Sequence, residues 1–418
     1  MESINKRTNI FTAITRIIGF FLVVAVIVFI AGCQSTPKNS LDLDTTTWSE
    51  LENEARGKTV NMMMWTGDAK INEYMSGYVQ PELQKRYGID LSITPGQGST
   101  IVSILMGEME AGKGSSEIDL IWINGETFYQ LRSFNALFGP FLQKLPNSQY
   151  LNLDNPFIKY DFQQPIDGYE APWGNVQMAL IYDTARTKHP PKNMEQLRTF
   201  VAENPGEFTF SSDFAGMTFL KSLLIGLAGK GNLSGPFDED KYEKYSTQLW
   251  EYINSIKSDF WKDGETFPAD IASMHQMFVS GELALTMSNN DAEVDNKVLE
   301  GFFPKTSKAY VLESGTIQNS HYLGIPVRAA DKKAALVAIN FMISPVAQYQ
   351  KLKPSVWGDG TVLDIDQLPA QWRKKFQSVP GRNHAPPREE INQKALQELA
   401  PEYMIRIYED FRSHVVQQ

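Results

Sequence analysis

The chain has 418 residues, room for two or three domains at about 100–200 residues each, and its 42% apolar and 11% aromatic content supplies a sizeable core. A formal net charge of −10 argues against a nucleic-acid partner. The single cysteine excludes an intrachain disulfide or a cysteine-built zinc site. His189, His275, His321, His384 and His414 show no metal-ligand spacing, so neither a metal nor a cofactor is expected.

At the N-terminus Lys6, Arg7 and Arg16 precede or flank an uncharged run, residues 17–32. As a helix this run spans about 24 Å, short of the roughly 30 Å of a bilayer core. Basic flank, short apolar run and small residues read as a signal peptide over 1–32, the alternative being an uncleaved anchor. Ile30-Ala31-Gly32-Cys33 resembles a bacterial lipobox, which implies that Cys33 carries acyl chains and ties the protein to a membrane. Gln34 stands where inner-membrane lipoproteins more often have Asp. The resemblance therefore implies a periplasmic, lipid-anchored protein sorted to the outer rather than the inner membrane. Residues 33–57 form the lipidated start and a polar tether.

Strand and helix signals alternate from residue 59. An apolar run over 60–65 predicts a strand, and Ile71, Tyr74, Met75, Tyr78 and Val79 recur at helical spacing. That helix kinks or restarts at Pro81 and stops at Gly88. A second strand is predicted over 89–93, a helix through Ile101, Ile104, Leu105 and Met109, and a third strand over 118–123. This βαβαβ order predicts an α/β fold with a parallel sheet and right-handed crossovers.

Ligands of such sheets bind outside the carboxyl ends of the strands. Here those ends carry Trp65, Thr66 and Asp68, then Gln97, Ser99 and Thr100, then Asn124 and Glu126, each group with a glycine that lets backbone approach a ligand. The competing reading makes Asp68, Ser99 and Thr100 helix caps. Catalytic patterns fail. Gly96-Gln97-Gly98 lacks the third glycine of a dinucleotide fingerprint, and Ala228-Gly229-Lys230-Gly231 lacks the Ser or Thr of a P-loop. No Gly-x-Ser-x-Gly elbow and no His-Glu-x-x-His occurs, so no enzyme activity is expected.

The order and spacing of Met64 to Asp68, Ile118 to Glu126, APWGNVQMALIYD (171–183), FVSGELALTMSNND (278–291), YLGIPVRAADKKAALVAINFMISPVAQ (322–348) and VWGDGTVLD (356–364) resemble the extracellular solute-binding proteins of bacterial ABC importers, and among them a thiamine-type branch. The resemblance implies a two-lobed periplasmic-binding-protein fold, type II-like, with a ligand cleft between lobes. Lobe one would be 58–174 plus 322–355, and lobe two 175–321 plus 356–418. It places a strand at 208–211 and helices between 215 and 262 in lobe two. It brings Trp173 and Asn175 to the first crossing, and Ser288, Asn289 and Asp291 to the cleft. The implied partners are a small-molecule solute, a membrane permease and its ATPase.

Trp65 and Trp173 stand where the family often uses aromatic walls, which would suit a flat or cationic ligand. With Asp68, Glu126 and Asp291 as negative charge, the expected solute is a cationic organic compound. An anion held by hydroxyl and N–H donors (99–100, 211–212, 314–316) or a sugar are the alternatives, as is an envelope lipoprotein without a transport role.

Overall fold

Thr47 opens α1 (Trp48–Ala55) with a capping box: its hydroxyl accepts from the Glu50 N–H, and the Glu50 carboxylate accepts from the Thr47 N–H. β1 (Thr59–Met64) follows, burying Val60, Met62, Met63 and Met64. Asp68 then caps α2 (Ala69–Tyr74), and a π turn over Met75–Val79 joins it to α3 (Gln80–Tyr87). Pro81 lies in the first turn of α3, directly after the π turn. Gly88 ends α3 in the left-handed conformation, with φ of 66°. β2 (Asp90–Pro95), α4 (Gly98–Glu110), β3 (Leu120–Ile123) and α5 (Gly125–Ser133) complete the unit. β1 pairs in parallel with both β2 and β3, as the βαβαβ pattern predicts.

The computed structural model describes residues 41 and 43–417. The signal segment and Cys33 lie outside the described residues. Residues 43–45 form a turn, and the large compact unit begins at Thr46. Among the described residues no helix is long and apolar enough to cross a membrane.

Beyond α5, α6 (Pro156–Lys159) leads into a hairpin of β4 (Tyr160–Asp161) and β5 (Gln164–Pro165). Its turn residues Phe162 and Gln163 have φ of 45° and 63°, the backbone that suits a two-residue hairpin turn. β6 (Glu170–Gln177) then leaves the first sheet and continues as β7 (Ala179–Asp183) of a second one. α7 (Met194–Glu203), α8 (Phe214–Ala228), α9 (Glu239–Ile256) and α10 (Ile271–Ser280) supply most of a second core around Phe208, Phe210, Phe219 and Trp250. β8 (Leu285–Ser288), α11 (Glu293–Leu299) and β9 (Ser307–Tyr310) follow, giving the antiparallel order β8-β7-β9.

The chain returns along β10 (Thr316–Gly324), whose nine residues are all buried. β10 pairs antiparallel with β3 through Tyr322 to Gly324, and with β6 from Gln318 opposite Gln177 to Gly324 opposite Glu170. Its first residues pair in parallel with β11 (Ala395–Leu396). β6 and β10 thus form a two-stranded ribbon connecting two α/β lobes, the architecture of a periplasmic binding protein.

Three expectations about elements change. Residues 208–211 form no strand: Glu207, Phe208 and Ser212 bond singly to Ala284, Trp261 and Pro268, three separate segments that cannot build a ladder. The strand expected to begin at Tyr322 begins at Thr316. The stretch after α12 (Lys332–Met342) and α13 (Pro345–Leu352) does not go straight to the second lobe. Leu363 bridges Leu151, the Asp364 N–H donates to the Tyr150 carbonyl, and α14 (Ala370–Gln377) packs Trp372 and Phe376 on Tyr349 of α13. The chain touches the second lobe at Trp357, whose carbonyl accepts from Asn296, and packs on it again beyond Arg382. There the Asp295 carboxylate accepts from the N–H groups of Asn383, His384 and Ala385. α15 (Arg388–Asn392) and α16 (Pro401–Phe411) follow.

Candidate ligand-binding site

The parallel strands deliver their three polar ends to one edge of the first sheet. Trp65, 36% exposed, sets its ring edge-on to Trp122 of β3 at 6.4 Å. Thr66 accepts from Asn72 through its carbonyl. Gln97, Ser99 and Thr100 are exposed at the start of α4, and a Cβ at Gly98 would collide with Thr127 of α5, so glycine lets the two helix starts meet. Among these candidates only Asp68 is a cap, accepting from the N–H groups of Lys70 and Ile71 at 2.8 and 3.0 Å. The side chains of Gln97 and Asn124 make no cap bond to α4 or α5. Glu126 is half-buried and accepts from Gln130 at 3.0 Å; burial raises its carboxyl pKa.

At the crossing, Asn175 donates to Ser320 Oγ at 2.8 Å and accepts from Gln318, so its amide ties the two ribbon strands together. Trp173 is fully buried. Its ring lies 5.2 Å from Trp122, 5.3 Å from Trp357 and 5.4 Å from His321. It is a packed member of an aromatic cluster rather than an open wall, and only Trp65 of this group reaches solvent as an exposed ring. Beneath the cluster, Lys351 pairs with Asp359, which also lies 3.1 Å from His321 Nε2.

Across the gap, Ser288 donates to Glu293 and accepts from the Asn290 N–H. The Asn289 side-chain oxygen is buried without a partner. Asp291 is 2% exposed and already neutralised: Arg382 donates to it, Arg388 stands 3.7 Å away, and the Gln177 N–H donates at 3.0 Å. Its carboxylate fastens the ribbon to the second lobe. Asp68 is similarly occupied, with Lys297 of α11 at 3.4 Å. Lys70 stands 3.7 Å from Glu300, so these pairs join the lobes across the gap.

A second charge cluster beside the ribbon escaped sequence reasoning. Lys221, buried in α8, donates to both oxygens of Glu398 at 2.6 and 2.7 Å, and Asn319 of β10 donates to the same carboxylate at 2.9 Å. Asp161 and Glu170 lie buried nearby. Lys221 had a legible signal: it is the one charged residue in the helix FAGMTFLKSLLIGLA. The two acids had none, since only the fold brings a hairpin and a ribbon strand together. No group of three or more His, Cys, Asp or Glu among the described residues could hold a metal ion.

Two lobes on a two-stranded ribbon, with polar loops facing each other across the gap, define a binding protein that encloses its ligand between domains. The chain belongs to the bacterial extracellular solute-binding protein family, whose model matches residues 81–376. It is 35% identical over 344 residues to protein YnjB of Escherichia coli K12, covering 81% of this chain and 88% of that one. The Tp0655 (TpPotD) lipoprotein of Treponema pallidum has a similar fold, with a TM-score of 0.63 at 12% identity, covering 86% of this chain and all of that one. A periplasmic thiamin binding protein reaches 0.58 at 14% identity, covering 86% and 96%. The protein is thus an extracellular solute-binding protein, acting outside the cytoplasm, and not an enzyme.

Proposed function

We propose that the protein captures a cationic organic solute between its lobes and hands it to the permease. The observation that carries this reading is an excess of acidic over basic groups. Glu126, Asp161, Glu170 and Glu398 gather near the ribbon around a single buried cation, Lys221, whereas Asp68 and Asp291 are matched by protein cations. Trp65, backed by Trp122, offers an aromatic face to a cation. Thr66, Gln97, Ser99, Thr100, Asn124 and Asn175, with Ser288 and Asn289 opposite, supply the remaining polar contacts. The lobes divide as 58–174 with 322–377 and 175–321 with 382–418. A solute touching both favours the closed arrangement that Asp68–Lys297 and Lys70–Glu300 bridge, and only that difference in affinity shifts the population.

Thermal-shift screening of organic cations, anions and sugars tests the class. Cations raise the melting temperature; a response confined to anions or sugars overturns the reading. Trp65→Ala weakens binding of a responding cation about 2- to 30-fold by calorimetry, with unchanged melting of the free protein, since the ring sits at the surface. Thiamine-type and polyamine compounds are natural members of the screen, because structural relatives of this fold are described as binding thiamin and spermidine/putrescine.

The reading includes an anchor at Cys33, supported by the lipobox-like run before it. Cys33→Ser moves the protein from the membrane to the soluble fraction on cell fractionation. Retention of the variant in membranes would point to an uncleaved span.

A further inference from the structure

Between the β4–β5 hairpin and the ribbon lies a shallow recess, open to solvent at its mouth, with about 10 Å³ of enclosed space, room for one water-sized group. Phe157, Tyr160 and Phe162 line it, together with Asn319, Glu398 and Asp161. Asp161 is 2% exposed, and its Oδ2 has no hydrogen-bond partner. Glu170, which interacts electrostatically with Asp161, is fully buried, and neither of its carboxylate oxygens has a partner. Leaving such oxygens unmatched costs about 1–3 kcal/mol each, more if charged, so a donor arriving at the recess is favoured.

The protein itself does not supply one. Lys221 is committed to both oxygens of Glu398, and its ammonium lies 4.5 Å above the Phe162 ring. Around the acid pair stand Lys221 of α8, Glu398 after β11, Tyr322 of β10, Glu126 and the Gly125 N–H of α5, and, on the Glu170 side, Arg132. The Tyr322 hydroxyl is turned away, donating to the Ile158 and Tyr160 carbonyls. Burial, with repulsion from Glu398 on Asp161 and from Asp161 on Glu170, holds both carboxyls well above the usual range and favours their protonated form until a cation arrives.

From this geometry we infer that the recess is an ammonium-binding subsite, in which a primary ammonium of the solute donates to Asp161 while Phe157 and Tyr160 flank its alkyl part. The inference rests on the cationic reading given above and names an anchor for it. Ammonium enters, the carboxyl proton leaves to solvent, and charge balances. The site requires nothing from Asp68 or Asp291, which the protein's own cations already satisfy.

Calorimetry on the mature protein tests it with n-butylamine and 1,4-diaminobutane as probes, 1-butanol as the neutral isostere, and choline as a cation without N–H donors. Wild type binds the two amines and not the alcohol. The binding enthalpy depends on the ionisation enthalpy of the buffer, because a proton is released. Asp161→Asn lowers amine affinity about tenfold or more and abolishes the buffer dependence, with the free protein still folded by circular dichroism. Glu170→Gln, which leaves Asp161 in place, keeps amine binding and reduces the buffer dependence, so the idea remains testable if Asp161→Asn fails to fold. Amine binding unchanged in Asp161→Asn, or lost in a folded Glu170→Gln, overturns the subsite and leaves the cationic reading standing. Choline binding without amine binding does the same. If neither the amines nor choline bind wild type, the subsite falls, and the cationic reading is decided separately by the thermal-shift screen.

Discussion

Lys351→Met lowers the stability of the folded protein by about 3–5 kcal/mol. Lys351 and Asp359 are both completely buried, and the ammonium also donates to the carbonyls of Trp173 at 2.7 Å and Gly360 at 3.1 Å. Burial alone would raise the Asp359 pKa. Lys351 and then His321 outweigh it and hold the carboxyl below its ordinary value. Methionine fills the space of the lysine stem but leaves the buried Asp359 with His321 and without its main partner. Urea unfolding followed by tryptophan fluorescence reads the loss directly, since the cluster contains Trp122, Trp173 and Trp357. Combining Lys351→Met with Asp359→Leu recovers most of it, because removing both charges also removes their desolvation. A loss below about 1 kcal/mol in the single variant would mean that water reaches Asp359 in solution. The sign in pH follows from the lowered carboxyl: its contribution is present above the ordinary carboxylate range and disappears as pH falls through the depressed value.

Lys221→Met costs a comparable amount, about 3–5 kcal/mol near neutrality, with the opposite dependence on pH. Lys221 is the cation that faces Glu398, Asp161 and Glu126, and its removal leaves buried acids against one another. Asp161 and Glu170 have raised pKa values, so the folded protein holds protons there that the unfolded chain has already lost. Stability therefore falls as pH rises from the ordinary carboxylate range toward those raised values, and the fall is steeper in the variant because nothing offsets ionisation. Denaturation curves at mildly acid and mildly alkaline pH separate the cases. A deficit equal at both would assign the role of Lys221 to packing rather than charge.

Much of the first lobe was readable from residue order. Periodicity in Ile71 to Val79, the Gly88 stop and the apolar run before Asn124 determine the βαβαβ unit, because period and capping are local properties of the chain. The rim residues Thr66, Gln97, Ser99, Thr100 and Asn124 follow from the rule that parallel strands present their carboxyl ends together. Tertiary structure alone decided which of the charged and aromatic residues are free. Trp65 and Trp173 read alike in sequence, yet one ends a strand at the surface while the other meets Trp122, Trp357 and His321 from three distant segments. Asp68 and Asp291 read as ligand groups, and the fold pairs them with Lys297, Arg382 and Arg388, more than 80 residues away in each case. Asp161 and Glu170 carry no local signature, and become a site only because a hairpin turn and a ribbon strand exclude water and bring no cation of their own. Local conformation depends on neighbours in the chain, whereas the state of a charge depends on whatever chain closure places within a few ångströms of it.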